Sequence, residues 1–172
     1  MLRSLATLLV STLTFAVAAP AQSAAGIAVP ALLLRDSTGA WSGHYCPQPG
    51  AWSMPAAVTV PSGSNVTIRS EFFSGNWNGP FLIAYAPLPS GPFSVPNCVG
   101  PLLLDPGQVQ PLVVGLGTQL SQNLNSCYGS FGIEVSGRLT LPANTDFSVQ
   151  ALTPDVFAGR MIFSPRLTVH VR

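Results

Sequence analysis

The chain has no lysine and carries few charges of either sign. Charged residues make up only 8% of its 172 residues, and seven arginines nearly balance six acidic residues, for a formal net charge of +1. A surface that follows a phosphate backbone requires clustered positive charge, whereas these arginines lie singly along the sequence. The composition therefore argues against nucleic acid as a partner.

Residue types that perform catalysis or hold metals are also scarce. There are two histidines and three cysteines, and no Gly-x-Ser-x-Gly motif for a nucleophilic serine. His44 and Cys46 are metal-ligand types, but two residues in one turn do not complete a site. Glu71 and Glu134 fall on the outward faces of predicted strands, where we interpret them as solvated charges rather than a glycosidase pair. The sequence predicts no catalytic residue, no metal site and no cofactor.

No long apolar run occurs after residue 25, and the one before it has the pattern of an export signal. Arg3 precedes an apolar run over residues 5–18, and Ala19-Pro20-Ala21 supplies the small-x-small pattern of a cleavage site. The run is shorter than the roughly 20 residues of a membrane-spanning helix. We expect a signal peptide over residues 1–21 and one secreted domain over 22–172, without a membrane span, located outside the cell or in the periplasm.

Seventeen prolines and sixteen glycines disfavour long helices and favour many turns between short strands. Apolar residues alternate with polar ones over 131–141, 66–72 and 167–172, which predicts strands with one face in the core. In 66–72, Thr67, Arg69 and Glu71 are predicted to face outward. Less regular strands are expected at 27–34, 56–60, 81–86, 102–104, 111–114, 147–152 and 161–163. The fold prediction is all-β: an antiparallel two-sheet β-sandwich, immunoglobulin-like or jelly-roll-like, of about eight to ten short strands.

Two segments of the chain resemble each other. Residues 58–70 align with residues 139–151, and both run from an apolar-Thr-apolar stretch through a proline turn into a second strand. Proline fixes φ in the turn, and Gly63 or Asn144 tolerates the conformation needed at its exit. The alignment predicts two similar corners.

The motifs CVGPLLLDP at 98–106 and LPAN at 141–144, followed by Gln150, resemble small exported Pro/Gly-rich proteins of planctomycetes and other environmental bacteria. The resemblance spans residues 46–171 and implies a secreted β-sandwich and no particular chemistry. The chain departs from that group by its additional cysteine, Cys127.

Three cysteines in an exported chain predict one disulfide and one remaining thiol. The resemblance favours a bridge between Cys46 and Cys98. The internal similarity permits Cys46 with Cys127, and loop length permits Cys98 with Cys127. The unpaired thiol is then a small buried apolar group, and the alternative is a disulfide to another molecule.

These features favour a secreted, non-catalytic β-sandwich that serves as an extracellular or envelope structural or interaction module, with a protein or polysaccharide partner. A first alternative is a carbohydrate-binding module, in which Trp77 stacks on a sugar ring and Asn76 and Asn78 bind its hydroxyls. Trp41 and Trp52 are interpreted as caps at the end of the core. A second alternative is a hydrolase with an unrecognised site, which would gather His44 or His170 with an acidic residue.

Overall fold

The computed structural model describes residues 29–44, 47, 51–53, 56–72, 79–87, 89–119, 131–155 and 159–172. Fourteen strands and one 3₁₀ turn (Ala51–Ser53) lie in these ranges. The first seven strands are β1 (Ala31–Arg35), β2 (Trp41–His44), β3 (Ala56–Val60), β4 (Asn65–Glu71), β5 (Pro80–Ala86), β6 (Pro89–Phe93) and β7 (Cys98–Val99). The others are β8 (Leu102–Leu104), β9 (Gln110–Leu116), β10 (Thr118–Gln119), β11 (Phe131–Arg138), β12 (Thr145–Asp155), β13 (Arg160–Phe163) and β14 (Leu167–Val171).

Two large sheets form a sandwich. The first, sheet A, has the strand order β10-β11-β4-β1-β2 and is antiparallel throughout. The second, sheet B, has the order β3-β14-β12-β13-β7, and β5 pairs with the other side of β12 and carries β9 at the edge. Because β13 and β14 both lie along one side of the long strand β12, strands β9 and β3 are opposite edges of sheet B.

The core lies between the two sheets. Alternate residues of β1, β4, β5, β12 and β14 point into it, as period-two alternation requires. Its fully buried members include Leu32, Ile83, Val149, Leu167 and Val169. Burial of this aliphatic surface holds the sheets face to face.

A two-stranded sheet of β6 and β8 adds a third layer on the outer face of sheet B. Leu104 packs there against Ala84 and Ala86 of β5. Gln150 of β12 connects the layers, because its side-chain amide donates to the carbonyls of Pro101 and Ser164 and its oxygen accepts from the Leu103 N–H, all at 2.8–2.9 Å. The motif at 98–106 and the glutamine that follows it are therefore in direct contact.

The all-β sandwich prediction is confirmed, with more strands than expected and with two parallel pairs, β3 with β14 and β7 with β13. The similar corners are confirmed at their turns, since Gly63 and Asn144 both have left-handed φ, 74° and 63°. The stretch before the second turn is not a strand, because β11 ends at Arg138. Among the described residues there is no helix with the length and hydropathy that crossing a bilayer requires.

Candidate functional site

Several residues predicted to carry function lie outside the described residues. These are Trp77, Asn76 and Asn78 of the carbohydrate-binding alternative, and the disulfide candidates Cys46 and Cys127. Cys98 lies half-buried on β7, and burial raises the pKa of its thiol above the usual range. The pairing of Cys46 with Cys98 stays a prediction.

The two imidazoles have structural partners. Nε2 of His44 lies 2.9 Å from the carbonyl oxygen of Arg166 and 3.1 Å from the amide nitrogen of Ala56, and its tautomer decides which bond forms. In either tautomer His44 ties β2 of sheet A to the chain segments that open β14 and β3 of sheet B. Burial lowers the pKa of His44, against a smaller opposing effect of the Arg166 carbonyl.

His170 lies on β14 in a surface cluster of charges. Its Nδ1 is 3.0 Å from Oδ1 of Asp146, and Nη1 of Arg172 donates to the same oxygen at 2.8 Å. Hydrogen bonds from Arg172 and then from His170 lower the pKa of Asp146. Within the described ranges, neither imidazole bonds to a hydroxyl or a thiol, and no three metal-ligating side chains come together.

The outer face of sheet A carries a cluster of charged and aromatic side chains, which we call the arginine–tryptophan face and define by Trp41, Arg35, Arg69, Glu71 and Glu134. The strand register places them in adjacent rows. Trp41 of β2 lies opposite Arg35 of β1, and Arg69 of β4 lies opposite Glu134 of β11. Side chains at opposed positions of an antiparallel pair lie on the same face, so all five share the outer face.

Both arginines of this face lie against Trp41. The guanidinium carbons of Arg35 and Arg69 are 4.8 Å and 5.7 Å from the centroid of the Trp41 ring, within the range of cation–π attraction. Trp41 is half-buried, and its register opposite Arg35 places it on this outer face, whereas the sequence predicts a cap on the core.

The charges on this face form a continuous network. Nε of Arg69 lies 2.6 Å from Oε1 of Glu71, although its N–H is not aligned for a hydrogen bond. Glu134 lies between the two arginines, 3.7 Å from Nη2 of Arg35 and 3.8 Å from Nη1 of Arg69. Both distances exceed hydrogen-bond length, so these contacts are purely ionic.

Burial divides the network into an inner and an outer part. The side chains of Arg69 and Glu71 are only 2% and 1% exposed, whereas those of Arg35 and Glu134 are 38% and 35% exposed. Nη2 of Arg69 and Oε2 of Glu71 are buried without a hydrogen-bond partner. A buried polar atom left in this state costs free energy, so both atoms would gain from a bonded water or ligand group.

This arrangement corrects one expectation from the sequence. Glu71 and Glu134 were interpreted as separate solvated charges, but Arg69 joins them and Glu71 is buried. The alternation in β4 and β11 correctly predicted that these residues face outward. Opposite charges on outward positions of two strands were the available signal, but the register that brings them together is not visible in the sequence.

Trp52 has a structural role, in keeping with its interpretation as a cap. Its indole N–H donates to the carbonyl of Phe163 at 2.8 Å. Its ring packs on the backbone of Gly100, where a Cβ atom would lie 2.4 Å from the ring, and Gly100 also has a left-handed φ of 77°. Glycine is therefore required at this position.

A second surface is the edge of sheet B formed by β9, which we call the apolar edge and define by Leu112, Val114 and Leu116. These side chains are 45%, 71% and 62% exposed. In the described part of the chain β9 pairs only with β5. Such an edge is a template for another strand, and proteins usually protect it with charge, proline or a bulge. Pro111 and the bulge of the β5–β9 ladder interrupt only the first half of β9, and residues 114–116 carry neither charge nor proline.

The hydrogen-bond pattern shows which way the backbone of β9 points. The Gly117 N–H donates to the Gly79 carbonyl at 2.9 Å, so residue 117 faces β5. Antiparallel pairing alternates, so Gly115 and Val113 also face β5, whereas the backbone groups of Val114 and Leu116 face away from it. The bulge of this ladder lies beyond Val113 and does not change this part of the alternation.

No family model and no curated protein matches the sequence. Among solved structures, the chain is similar to a chitin binding domain from Burkholderia pseudomallei, with 11% sequence identity and a TM-score of 0.39. The alignment covers 66% of this chain and 56% of that chain. A likeness this distant supports no argument about function.

Proposed function

We propose that this chain is an exported, non-catalytic interaction module that associates with a second copy of itself through the apolar edge. The observation that carries the proposal is the exposure of aliphatic side chains on the edge strand β9, together with the outward direction of the Val114 and Leu116 backbone groups. Strand addition at such an edge satisfies main-chain hydrogen bonds and removes apolar surface from water in one step.

The composition of β9 favours a second copy as its occupant. The strand contains no charged residue, and the chain has a formal net charge of only +1, so two copies meet without strong repulsion. A partner recognised by charge would require charged side chains on the strand.

The geometry of β9 is also self-complementary. An antiparallel pair of β9 strands, related by a two-fold axis at Gly115, sets Val114 of one chain opposite Leu116 of the other. Both residues direct their backbone groups outward, so each such pair exchanges two hydrogen bonds. Aliphatic side chains then meet aliphatic side chains on both sides of the axis, and Gly115 faces Gly115. A single symmetric contact of this kind closes a dimer.

The proposal is tested by sedimentation velocity on residues 22–172 over a concentration series. We expect the mass to rise toward twice that of the monomer, and Val114→Asp to restore the monomer because two carboxylates would be placed in the apolar contact. The matched control is Thr59→Asp, which adds the same charge to an exposed position on β3, the opposite edge of the sheet. It should leave the dimer intact.

Two results would overturn the proposal. One is a wild-type chain that stays monomeric at every concentration. The other is a dimer that Thr59→Asp dissociates and Val114→Asp does not, because the contact would then lie at the β3 edge.

A further inference from the structure

We propose that the arginine–tryptophan face is a binding site for a neutral oligosaccharide. This site is on sheet A, away from the strand that carries the proposed dimer contact, and the inference does not depend on that proposal. It uses none of the residues of the expected sugar site, Trp77, Asn76 and Asn78, which lie outside the described residues.

The charge of the face selects a neutral ligand. Two guanidinium groups, Arg35 and Arg69, are matched by two carboxylates, Glu71 and Glu134, in one network. A strongly anionic ligand would be repelled by the carboxylates, and a cationic ligand by the arginines. The remaining class is a ligand without net charge that offers many hydrogen bonds.

The face offers free hydrogen-bond donors and acceptors side by side, which favours a ligand with hydroxyl groups. Glu134 holds its arginines at ionic rather than hydrogen-bond distances, which leaves its oxygens free to accept. Arg35 is more than one-third exposed and carries free donors beside it. A hydroxyl both donates and accepts, so one hydroxyl can bond the Glu134 carboxylate and the Arg35 guanidinium at once. Polyols and sugars present such groups in pairs.

The buried pair of Arg69 and Glu71 also contains both a hydrogen-bond donor and an acceptor. Nη2 of Arg69 is an unpartnered donor, and Oε2 of Glu71 is an unpartnered acceptor. Both atoms are buried, so a ligand at the rim does not touch them. The inner pair instead supports the rim, because Arg69 positions Glu134 and Trp41.

The extent of the face favours a chain of sugars over a single one. One row of the register runs from Trp41 through Arg35 and Thr67 to Ser136 across four strands. Neighbouring strands are about 4.8 Å apart, so the row extends over about 14 Å, which is longer than one pyranose ring. The exposed Ser136 adds a hydroxyl group, which lies 2.7 Å from the hydroxyl of the buried Thr67, and the half-buried Trp41 provides the aromatic surface that the arginines leave open for the C–H face of a sugar.

The test is isothermal titration calorimetry of residues 22–172 with five neutral hexaoses (cello-, manno-, laminari-, xylo- and N-acetylchitohexaose) and with an oligogalacturonate as the anionic comparator. At least one neutral probe should bind with a Kd of about 1 mM or tighter. Arg35→Ala and Glu134→Gln should each weaken that binding by about tenfold or more, because each removes charge-assisted hydrogen bonds. Both residues are on the rim, so these variants avoid the buried pair, and circular dichroism verifies that they fold.

Two matched controls locate the site. Arg160→Ala removes an exposed arginine from sheet B and should leave the Kd unchanged. Trp77→Ala removes the aromatic residue of the alternative site and should also leave it unchanged. The proposal is overturned if no neutral hexaose binds at about 10 mM, if the oligogalacturonate binds more tightly than every neutral probe, or if Trp77→Ala abolishes binding that Arg35→Ala retains.

Discussion

At the scale of single residues, Gln150 is the clearest case of one side chain that joins two layers. Its amide group satisfies three backbone groups, two of them at Pro101 and Leu103 at the start of β8. The residue is only 2% exposed, so these bonds are shielded from bulk water. The role of Gln150 is structural, because its hydrogen bonds hold the β6–β8 layer on sheet B.

We predict that Gln150→Leu destabilises the protein by about 3 kcal/mol, because the Leu103 N–H and the Pro101 and Ser164 carbonyls lose their partner. The measurement is the free energy of unfolding from urea denaturation. Gln108→Leu is the matched control, since Gln108 is exposed and its side chain bonds only to the side chain of Asp105. Equal losses for the two variants would show that Gln150 does not hold the layers together.

His44 connects the two sheets at a titratable position. Its pKa in the folded protein is lowered from the ordinary value of 6.5 because the ring is partly buried. The unfolded chain therefore binds a proton more readily than the folded protein does. The contribution of His44 to stability is fully present above that ordinary value and is lost as the pH falls from it through the lower pKa of the folded protein.

The resulting prediction is a shallower pH dependence in His44→Gln. Between about pH 8 and pH 5 the wild-type free energy of unfolding should fall more steeply than that of the variant, measured by urea denaturation at each pH. His170 is present in both proteins, so its effect cancels. Parallel curves would contradict the assignment of the acid sensitivity to His44.

At the scale of elements, β4 shows what alternation along a strand predicts and what it does not. The alternation correctly assigned Arg69 and Glu71 to the outer face, because successive side chains of a strand point to opposite sides. The expectation that they are solvated was wrong, since exposure depends on what packs over that face. The sequence shows the alternation along a strand, but it does not show which other segments pack against that strand.

The other strands show the same difference between what local alternation predicts and what it misses. Each of the ten runs expected from the sequence overlaps a strand, because apolar alternation is a strong local signal. The runs 56–60 and 102–104 have the same ends as their strands, the run 131–141 extends past the end of β11, and residues 27–28 of the first run lie outside the described residues. Four further strands were missed. Strands β7 and β10 have two residues each, and β2 and β6 contain glycine or proline and little alternation. Their strand conformation comes from the partners beside them, which a local pattern cannot show.

The Arg69–Glu71 pair of β4 gives a prediction about buried charge. Arg69→Met should cost about 3–5 kcal/mol, because Glu71 is then buried without its counter-ion. The double variant Arg69→Met with Glu71→Leu removes both charges and should recover most of that loss. Urea denaturation of the two single variants and the double variant gives the coupling free energy. Additive losses would show that the two side chains do not stabilise each other.

At the scale of the whole molecule, the sandwich presents two different surfaces. Sheet A carries the charge-balanced arginine–tryptophan face on its outer side, and sheet B exposes the apolar edge along β9. The β6–β8 layer covers part of the outer face of sheet B but leaves Leu112, Val114 and Leu116 exposed. A dimer formed through β9 would join two sheets B edge to edge into one continuous sheet, with an arginine–tryptophan face on each copy.

The most direct test of the proposed association is hydrogen–deuterium exchange of the β9 amides at low and high protein concentration. Pairing of two β9 strands places the Val114 and Leu116 amides in new hydrogen bonds, so their exchange should slow as the concentration rises, while the amides of β3 should not change. Exchange at Val114 and Leu116 that stays the same at every concentration would contradict the account.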